Sequence, residues 1–446
     1  MYKYFIFLLL TWLCFTPIVL RAETLLELYQ IAEQSDPQLK IAYSDYLVVL
    51  EKKSLAHAPL LPQITLGSNV SENWNKNDGV FGGSQEDTRI GYNVSLNYAL
   101  YRRDLNIQLE QVDSQIKQAE AAYESAKQAL MGRLASSYFG VLAANDNLKF
   151  ARSAKKAFKR QRDEAQQRFE VGLIAITDVQ EAQAGYDLSI ADEILARNGL
   201  DNSFEVLREI TGQYHQVLAV LNEDAPLLGP QPAELDSWTD FALEQNPQIL
   251  ATQYAVETAR QEIEKQRAGH WPTIDLVGRH SYSDIARGDE NPMGNKTRAN
   301  SLGIQLNYFL YEGGAIRSRT KEAKLRHVQA LDNLEQQRRS VQSQTRQTFL
   351  SLLSNISRVK ALKQALNSTE TAFKAIQTGF ELGTRTSVDV VNAQRDLLRA
   401  QRDYSRTRYN YVLDTLRLKQ AAGSLSLDDL TAINNWLTQH TIELQK

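Results

Sequence analysis

The chain has 446 residues, 43% hydrophobic and 23% charged, enough for the cores of two or three ordinary domains. Its 50 Lys and Arg against 53 Asp and Glu leave a net charge of −3, which argues against a nucleic-acid partner. Its single cysteine, Cys14, lies near the start, so no disulfide or thiol chemistry is available beyond it.

Met1 to Ala22 (MYKYFIFLLLTWLCFTPIVLRA) carries one lysine, then an apolar run, then Ala22 before polar residues. That order predicts a signal peptide over 1–22. Trp12 and Leu13 before Cys14 are too bulky for a lipoprotein cleavage site, so no lipid anchor is expected. Without Lys3 and Arg21 the balance is 48 basic to 53 acidic residues, a net of −5. No later run reaches the 18 or so apolar residues of a spanning helix, so a membrane could be crossed only by strands.

Leu25 to Leu55 has apolar residues at helical spacing, interrupted at Asp36-Pro37, which predicts two helices meeting there. After Pro59 and Pro62 the period becomes two. Ile64, Leu66, Val70 and Trp74 alternate with Gln63, Thr65, Gly67 and Asn69, predicting a strand over 63–74. A loop-like stretch, 75–88, leads to a second alternating run over 89–101, with Ile90, Tyr92, Val94, Leu96 and Tyr98 on one side. Each run is about eleven residues long, and tyrosines lie near the ends of the second, the length and trim of a tilted transmembrane strand. Weaker runs over 273–283 and 301–311 predict a third and a fourth strand. If these strands face lipid, four are too few to close a barrel, since the smallest membrane barrels use about eight. Two, three or four chains would give eight, twelve or sixteen strands, and the spacing leaves that choice open.

From Arg103 to Glu170 there is no proline and hardly a glycine, so one helix about 100 Å long is expected. Leu105, Leu109, Val112, Ile116, Ala119, Tyr123, Ala126 and Leu130 step by four and three, a coiled-coil seam. A turn at 171–178 and a return helix complete a hairpin. Residues 227–238, including LLGPQP, read as a linker. Arg317 to Phe380 is the second long helix, with a turn at 381–389 and another return helix. Leu425 to Leu444, within a tail spanning 425–446, reads as one short amphipathic helix.

The two turns resemble each other. FEVGLIAITDVQEAQ from Phe169 and FELGTRTSVDVVNAQ from Phe380 share Phe, Glu, Gly, Asp, Val, Ala and Gln at an interval of 211 residues. Pro37 with Pro247, Pro62 with Pro272, and Asn97-Tyr98 with Asn307-Tyr308 recur at almost the same interval. We therefore read two structural repeats, 23–226 and 239–424, within an α+β membrane protein.

Two lobes, two strand pairs, two long hairpins and the turn sequences VGLIAITDVQ and LGTRTSVDVV, in this order over nearly the whole chain, resemble the TolC family of outer-membrane channel proteins. The resemblance implies a homotrimer whose twelve strands, four per chain, form one β-barrel in the outer membrane. A long periplasmic α-helical coiled-coil barrel would continue it and close at its inner end. It implies an exit duct for multidrug efflux or type I protein secretion, in a Gram-negative outer membrane. The implied partners are a periplasmic adaptor (membrane fusion) protein, an inner-membrane transporter of RND, ABC or MFS type, and outer-membrane lipid. Adaptor docking is expected near Glu164 to Gly172 and Gln377 to Gly383.

By motif position, the resemblance makes Thr177 and Asp178 acceptors and Arg385 the donor of a gate, with an Arg385–Asp178 link across coils. Phe380 stands where the family has a tyrosine, so one hydroxyl bond is missing. Asp389 matches a constriction ring, but the acid expected three residues later is Asn392. Glu181, three residues after Asp178, is the expected replacement for that acidity. Like charges around an axis would raise the pKa of Asp389.

No enzyme is expected, and no cofactor or metal. Histidines 57, 215, 270, 280, 327 and 440 lack ligand spacing, and neither a phosphate-cradling loop nor a nucleophile elbow occurs. The competing reading is a periplasmic coiled-coil scaffold, structural or adhesive, with no pore.

Overall fold

Pro37 ends one helix and opens the next because it lacks an N–H and its ring fits the first helical turn. Helices α1 (Leu25–Ser35) and α2 (Pro37–His57) meet at Asp36, whose Oδ1 accepts the Leu39 N–H at 2.7 Å. The computed structural model describes residues 22–76, 84–288 and 295–438. The expected signal peptide, apart from Ala22, and the end of the tail lie outside the described residues.

The chain continues through β1 (Gln63–Lys76), β2 (Ser84–Tyr101), α3 (Arg103–Glu170), α4 (Ile176–Thr211) and β3 (Val220–Leu221). Then come α5 (Leu235–Gln245), α6 (Pro247–Arg267), β4 (Thr273–Gly288), β5 (Asn295–Asn307), α7 (Ala315–Glu381), α8 (Ser387–Ala422), α9 (Leu427–Asn434) and β6 (Leu437–Thr438). Among the described residues no helix is long and apolar enough to cross a membrane.

The chain folds into two compact units, and neither coincides with the stretches before or after 227–238. One comprises residues up to Ile41, Ser125–Asn246 and the chain from Val341; the other Ala42–Glu124 and Pro247–Ser340. Residues 227–238 lie within the first of these units. Their last four residues begin α5, and Trp238 donates its indole N–H to Pro232 O at 2.8 Å.

The first unit holds a helical core that includes the fully buried Leu25, Leu28, Leu130, Leu134, Leu142, Leu207, Leu352, Tyr138, Phe139 and Tyr411. Tyr138 donates to Ala219 O at 2.6 Å, and burial pushes its pKa up. Buried Asp36 takes a fork from Arg133 at 3.0 and 3.1 Å. That bidentate geometry is what a carboxylate out of water requires. The tail is not one helix. After α9 the chain extends to pair β6 with β3, because Leu437 packs against Ala22, Val217 and Ala219, while Trp436 stacks on Tyr411.

The second unit is organised by an antiparallel sheet of order β1-β2-β4-β5. Its register puts Ile64 beside Leu96, and Leu96 beside Gly278, which lies beside Leu302. Paired residues share a face, so one face is apolar and largely open, with Leu66 75% and Ile304 70% exposed. The other bears Thr65, Asn69, Asn93, Ser95, Ser301 and Gln305. β2 starts before Arg89 and β4 runs past Ser283, because pairing carries on into polar residues. β5 stops at Asn307, short of Tyr311, where its partner strand runs out: Asn307 faces Thr273, and Pro272 has no N–H to continue the ladder.

Candidate functional site

Both hairpin turns lie in the first unit, and both leave the long helix in the same way. Gly172 takes φ +78° and Gly383 φ +75°, a left-handed geometry that favours glycine. At the first turn Gly172 N–H reaches Phe169 O and Leu173 N–H reaches Arg168 O, each at 2.9 Å. At the second, Gly383 N–H reaches Phe380 O at 3.0 Å and Thr384 N–H reaches Gly379 O at 2.8 Å. The paired bonds close each helix end as a Schellman turn.

The turns differ where the return helices begin. Thr386 caps α8 reciprocally: its hydroxyl accepts Asp389 N–H at 3.3 Å, while Asp389 Oδ2 takes the Thr386 N–H and hydroxyl, both at 2.9 Å. Ala175 at the start of α4 has no side-chain oxygen. Only half the box remains, from Ala175 N–H to Asp178 Oδ2 at 3.3 Å.

The same bonds set the charge state of Asp389. The Thr386 backbone N–H, then its hydroxyl, then the nearby Arg385 hold this carboxyl below the usual range. Within the chain the shift is thus opposite to the rise expected of a ring of like charges, because the cap stabilises the anion.

Arg385 folds back along the helix that precedes it. A Cβ on Gly379 would come within 2.8 Å of Arg385 Cγ, so the glycine makes room for the arginine stem. Within the chain Arg385 and Asp178 form no ion pair. Thr177, Glu181 and Asn392 are exposed near the starts of the return helices, and among the described residues they make no side-chain hydrogen bond. Phe380 does find a partner: the Arg168 guanidinium sits 4.3 Å from its ring centroid, joining the last turn of α3 to the last turn of α7. Arg168 is also bonded to Glu164 at 2.8 Å. Around the first turn Ala165, Val179 and Ala182 form a small buried cluster with Ile174, while Val171, Leu173 and Leu382 stay more than two-thirds exposed.

Farther along the first hairpin, Glu193 of α4 is buried and gathers Lys155 at 2.8 Å, Arg197 at 3.1 Å and Arg152 at 3.4 Å. The Lys155 hydrogen bond, then the charges of the three cations, hold its pKa low despite burial. A groove of about 550 Å³ between α3, α4 and α8 is lined by Phe150, Phe158, Leu195, Arg395 and Arg399 among others. Among the described residues no His, Cys, Asp or Glu cluster has the makings of a metal site.

Sequence reasoning missed Arg168, Glu193, Gly379 and Thr386. Thr386 was within reach, since Thr-x-x-Asp ahead of an apolar run is a capping signature. The other three act through neighbours on other turns or helices, which no local pattern encodes.

Residues 28–213 and 238–424 match the family model of the outer membrane efflux protein. The chain is 36% identical over 414 residues to the outer membrane protein TolC of Vibrio cholerae, covering 93% of each chain. It is 28% identical to the alkaline protease secretion protein AprF of Pseudomonas aeruginosa, covering 95% of this chain and 90% of that one. Its fold is that of the Campylobacter jejuni CmeC outer membrane channel, with a TM-score of 0.77 at 16% identity, over 93% of this chain and 90% of that one. The helix-dominated fold with a few strands, the paired glycine turns and these matches agree: the chain belongs to the outer membrane efflux protein family.

Proposed function

We propose that the chain is one of three identical protomers of an outer-membrane exit duct for efflux and type I protein secretion. The observation that carries this reading is the four-stranded sheet. It exposes an apolar face, keeps a polar one behind it, and leaves the edges of β1 and β5 without partners. Bare edges this long invite other strands, and closure into a ring removes them. Twelve strands from three copies, the number carried by the family resemblance, would form such a ring. Two copies of one α-α-β-β-α-α unit, 23–226 and 239–424, account for the element order.

The helices then form the periplasmic tunnel, with the turns at 171–178 and 381–389 as its gate. Thr177, Asp178, Arg385 and Phe380 hold the coils together, the Arg385–Asp178 link forming between coils of neighbouring protomers. Asp389, Asn392 and Glu181 ring the constriction. The exposed Val171, Leu173 and Leu382, together with the groove between α3, α4 and α8, offer surface to a periplasmic adaptor, through which an inner-membrane transporter drives export. Relatives named for efflux and for protease secretion support both kinds of cargo. The chain is accordingly a transport protein of the outer membrane and not an enzyme.

Single-channel conductance in planar bilayers tests this. Wild type should pass a small current, and Arg385→Ser a severalfold larger one. Unchanged conductance in the variant would move the gate away from the turns. No pore from folded protein would leave only the coiled-coil scaffold.

A further inference from the structure

The open apolar face of the sheet changes character toward the β4–β5 turn. Register sets Val94 level with His280 and Asn300, Tyr92 with Tyr282 and Arg298, and Ile90 with Asp284 and Lys296. Below these rows the face is apolar on all four strands, aliphatic on β1 and β5 and interrupted by Tyr98 and Tyr101 on β2 and by Gly278 on β4. At the upper rows β1 and β2 carry Val70 and Ile90 on either side of the Ser68–Tyr92 pair, whereas β4 turns to His280, Tyr282 and Asp284 and β5 to Asn300, Arg298 and Lys296.

The side chains are organised there. Tyr92 stacks on Tyr282 at 5.4 Å between ring centroids, and His280 lies 5.8 Å from Tyr92. The His280 Nδ1–H donates to Asn300 Oδ1 at 2.6 Å. The Arg298 guanidinium stands 5.7 Å from the Tyr282 ring, with no carboxylate at ion-pair distance among the described residues. Lys296, one row up, is 71% exposed and only loosely held, 3.9 Å from Asp284. Two cations of β5, Arg298 against the stacked tyrosines and Lys296 one row beyond, therefore sit where the apolar band ends.

We propose that Arg298 and Lys296 bind the phosphate of a phosphorylated glycolipid in the outer leaflet, with Tyr282 and Tyr92 packed beneath its sugar. This rests on the outer-membrane barrel reading, in which the strand turns face outward because the polar helices enter at the opposite ends. Hydrocarbon then ends at the level of the tyrosines, where aromatic rings prefer to lie. Phosphates begin just beyond. Arg offers a planar fork of N–H donors to such a group, and Lys a point charge. The apolar band below takes the acyl chains of the same molecule, so the face is built for a lipid and not for a free anion.

The test uses the purified full chain in detergent and diphosphorylated lipid A as probe, with binding followed by native mass spectrometry. Wild type should bind lipid A at least about tenfold more tightly than its dephosphorylated form, and Arg298→Gln with Lys296→Gln should abolish that preference. Arg279→Gln, on the opposite face of β4, should leave it intact. Equal affinity of the double variant and wild type would overturn the proposal. So would equal binding of dephosphorylated lipid A, or displacement of lipid A by millimolar inorganic phosphate. Conductance of the double variant separates the two readings. Normal pores with unchanged lipid preference sink this site alone, whereas a wild-type chain that forms no pore sinks the barrel and this site with it.

Discussion

In the first hairpin, Glu193 draws Arg152 and Lys155 of α3 against α4 about midway along the return helix. At positions 211 residues later stand Lys363, Leu366 and Tyr404, and among the described residues the contact at these positions is Arg408 over the Tyr404 ring at 5.7 Å. The turns show the opposite balance. The second has the complete Thr386–Asp389 cap, whereas the first has half of one at Ala175. One hairpin is thus tied by a cluster of cations midway along its return helix and half capped, whereas the other is fully capped and tied farther from its turn, where Asn355 of α7 donates to the buried Asp414 of α8. Closely related turn sequences leave room for this, because what holds a hairpin together can sit at either place.

The comparison can be broken most forcefully at Glu193. Glu193→Gln should destabilise the first hairpin by about 1–2 kcal/mol, allowing for the partial exposure of its cations, and leave the second unchanged. Hydrogen exchange along α4 should then quicken roughly five- to thirtyfold. The contribution is also pH-dependent. A carboxylate with a depressed pKa stabilises fully above its unfolded value and loses that contribution as pH falls through the folded one. Wild-type protection of α4 should therefore drop below about pH 4.5, the ordinary carboxylate range, and the variant should show no such step.

Exchanging the caps should come next. Thr386→Ala should cost about 1 kcal/mol at the start of α8, and Ala175→Thr should add a similar amount at α4. Exchange of the first-turn amides reads both signs, and an unchanged Ala175→Thr would mean that Asp178 is engaged elsewhere. Removing the ring contact with Phe380→Leu or Arg168→Gln should cost about 0.5–1 kcal/mol, while Phe380→Tyr keeps it. A double-mutant cycle on chemical denaturation measures that coupling, and a value of zero would detach α3 from α7 at the turns. The smallest effect is a gain. Tyr404→Glu gives Arg408 an i,i+4 carboxylate worth about 0.3–0.5 kcal/mol, seen as slower exchange in the middle of α8.

The mostly helical character with a few strands was legible because Pro37 divides one helical pattern into two and the period changes after Pro59 and Pro62. The turns were legible through Gly172 and Gly383 and the sequence each shares with the other. Harder to read was how the pieces assemble. Both compact units draw on chain from either side of 227–238, since each long helix runs through both units, and periodicity along a helix carries no sign of where its neighbours change. Residues 437–438 of the tail were misread for a related reason: Leu437 fits an amphipathic helix as well as it fits a strand, and only the waiting cluster of Ala22, Val217 and Ala219 decides. At the candidate site, residue types pointed to Asp389 but not to its cap, and to Phe380 only as a missing hydroxyl, because Arg168 reaches it from a turn 212 residues earlier.

That cluster also sets a clock. Glu23 bridges to Leu218, β3 pairs with β6, and Leu437 closes over Ala22, so three segments from the start, middle and end of the described chain meet at one spot. Synthesis supplies the first segment early, but the spot must wait for the last. Until Leu437 emerges, Ala22 and Val217 have no lid, and this part of the first unit stays unfinished. The fold therefore defers the completion of this spot until the chain has been made as far as Leu437.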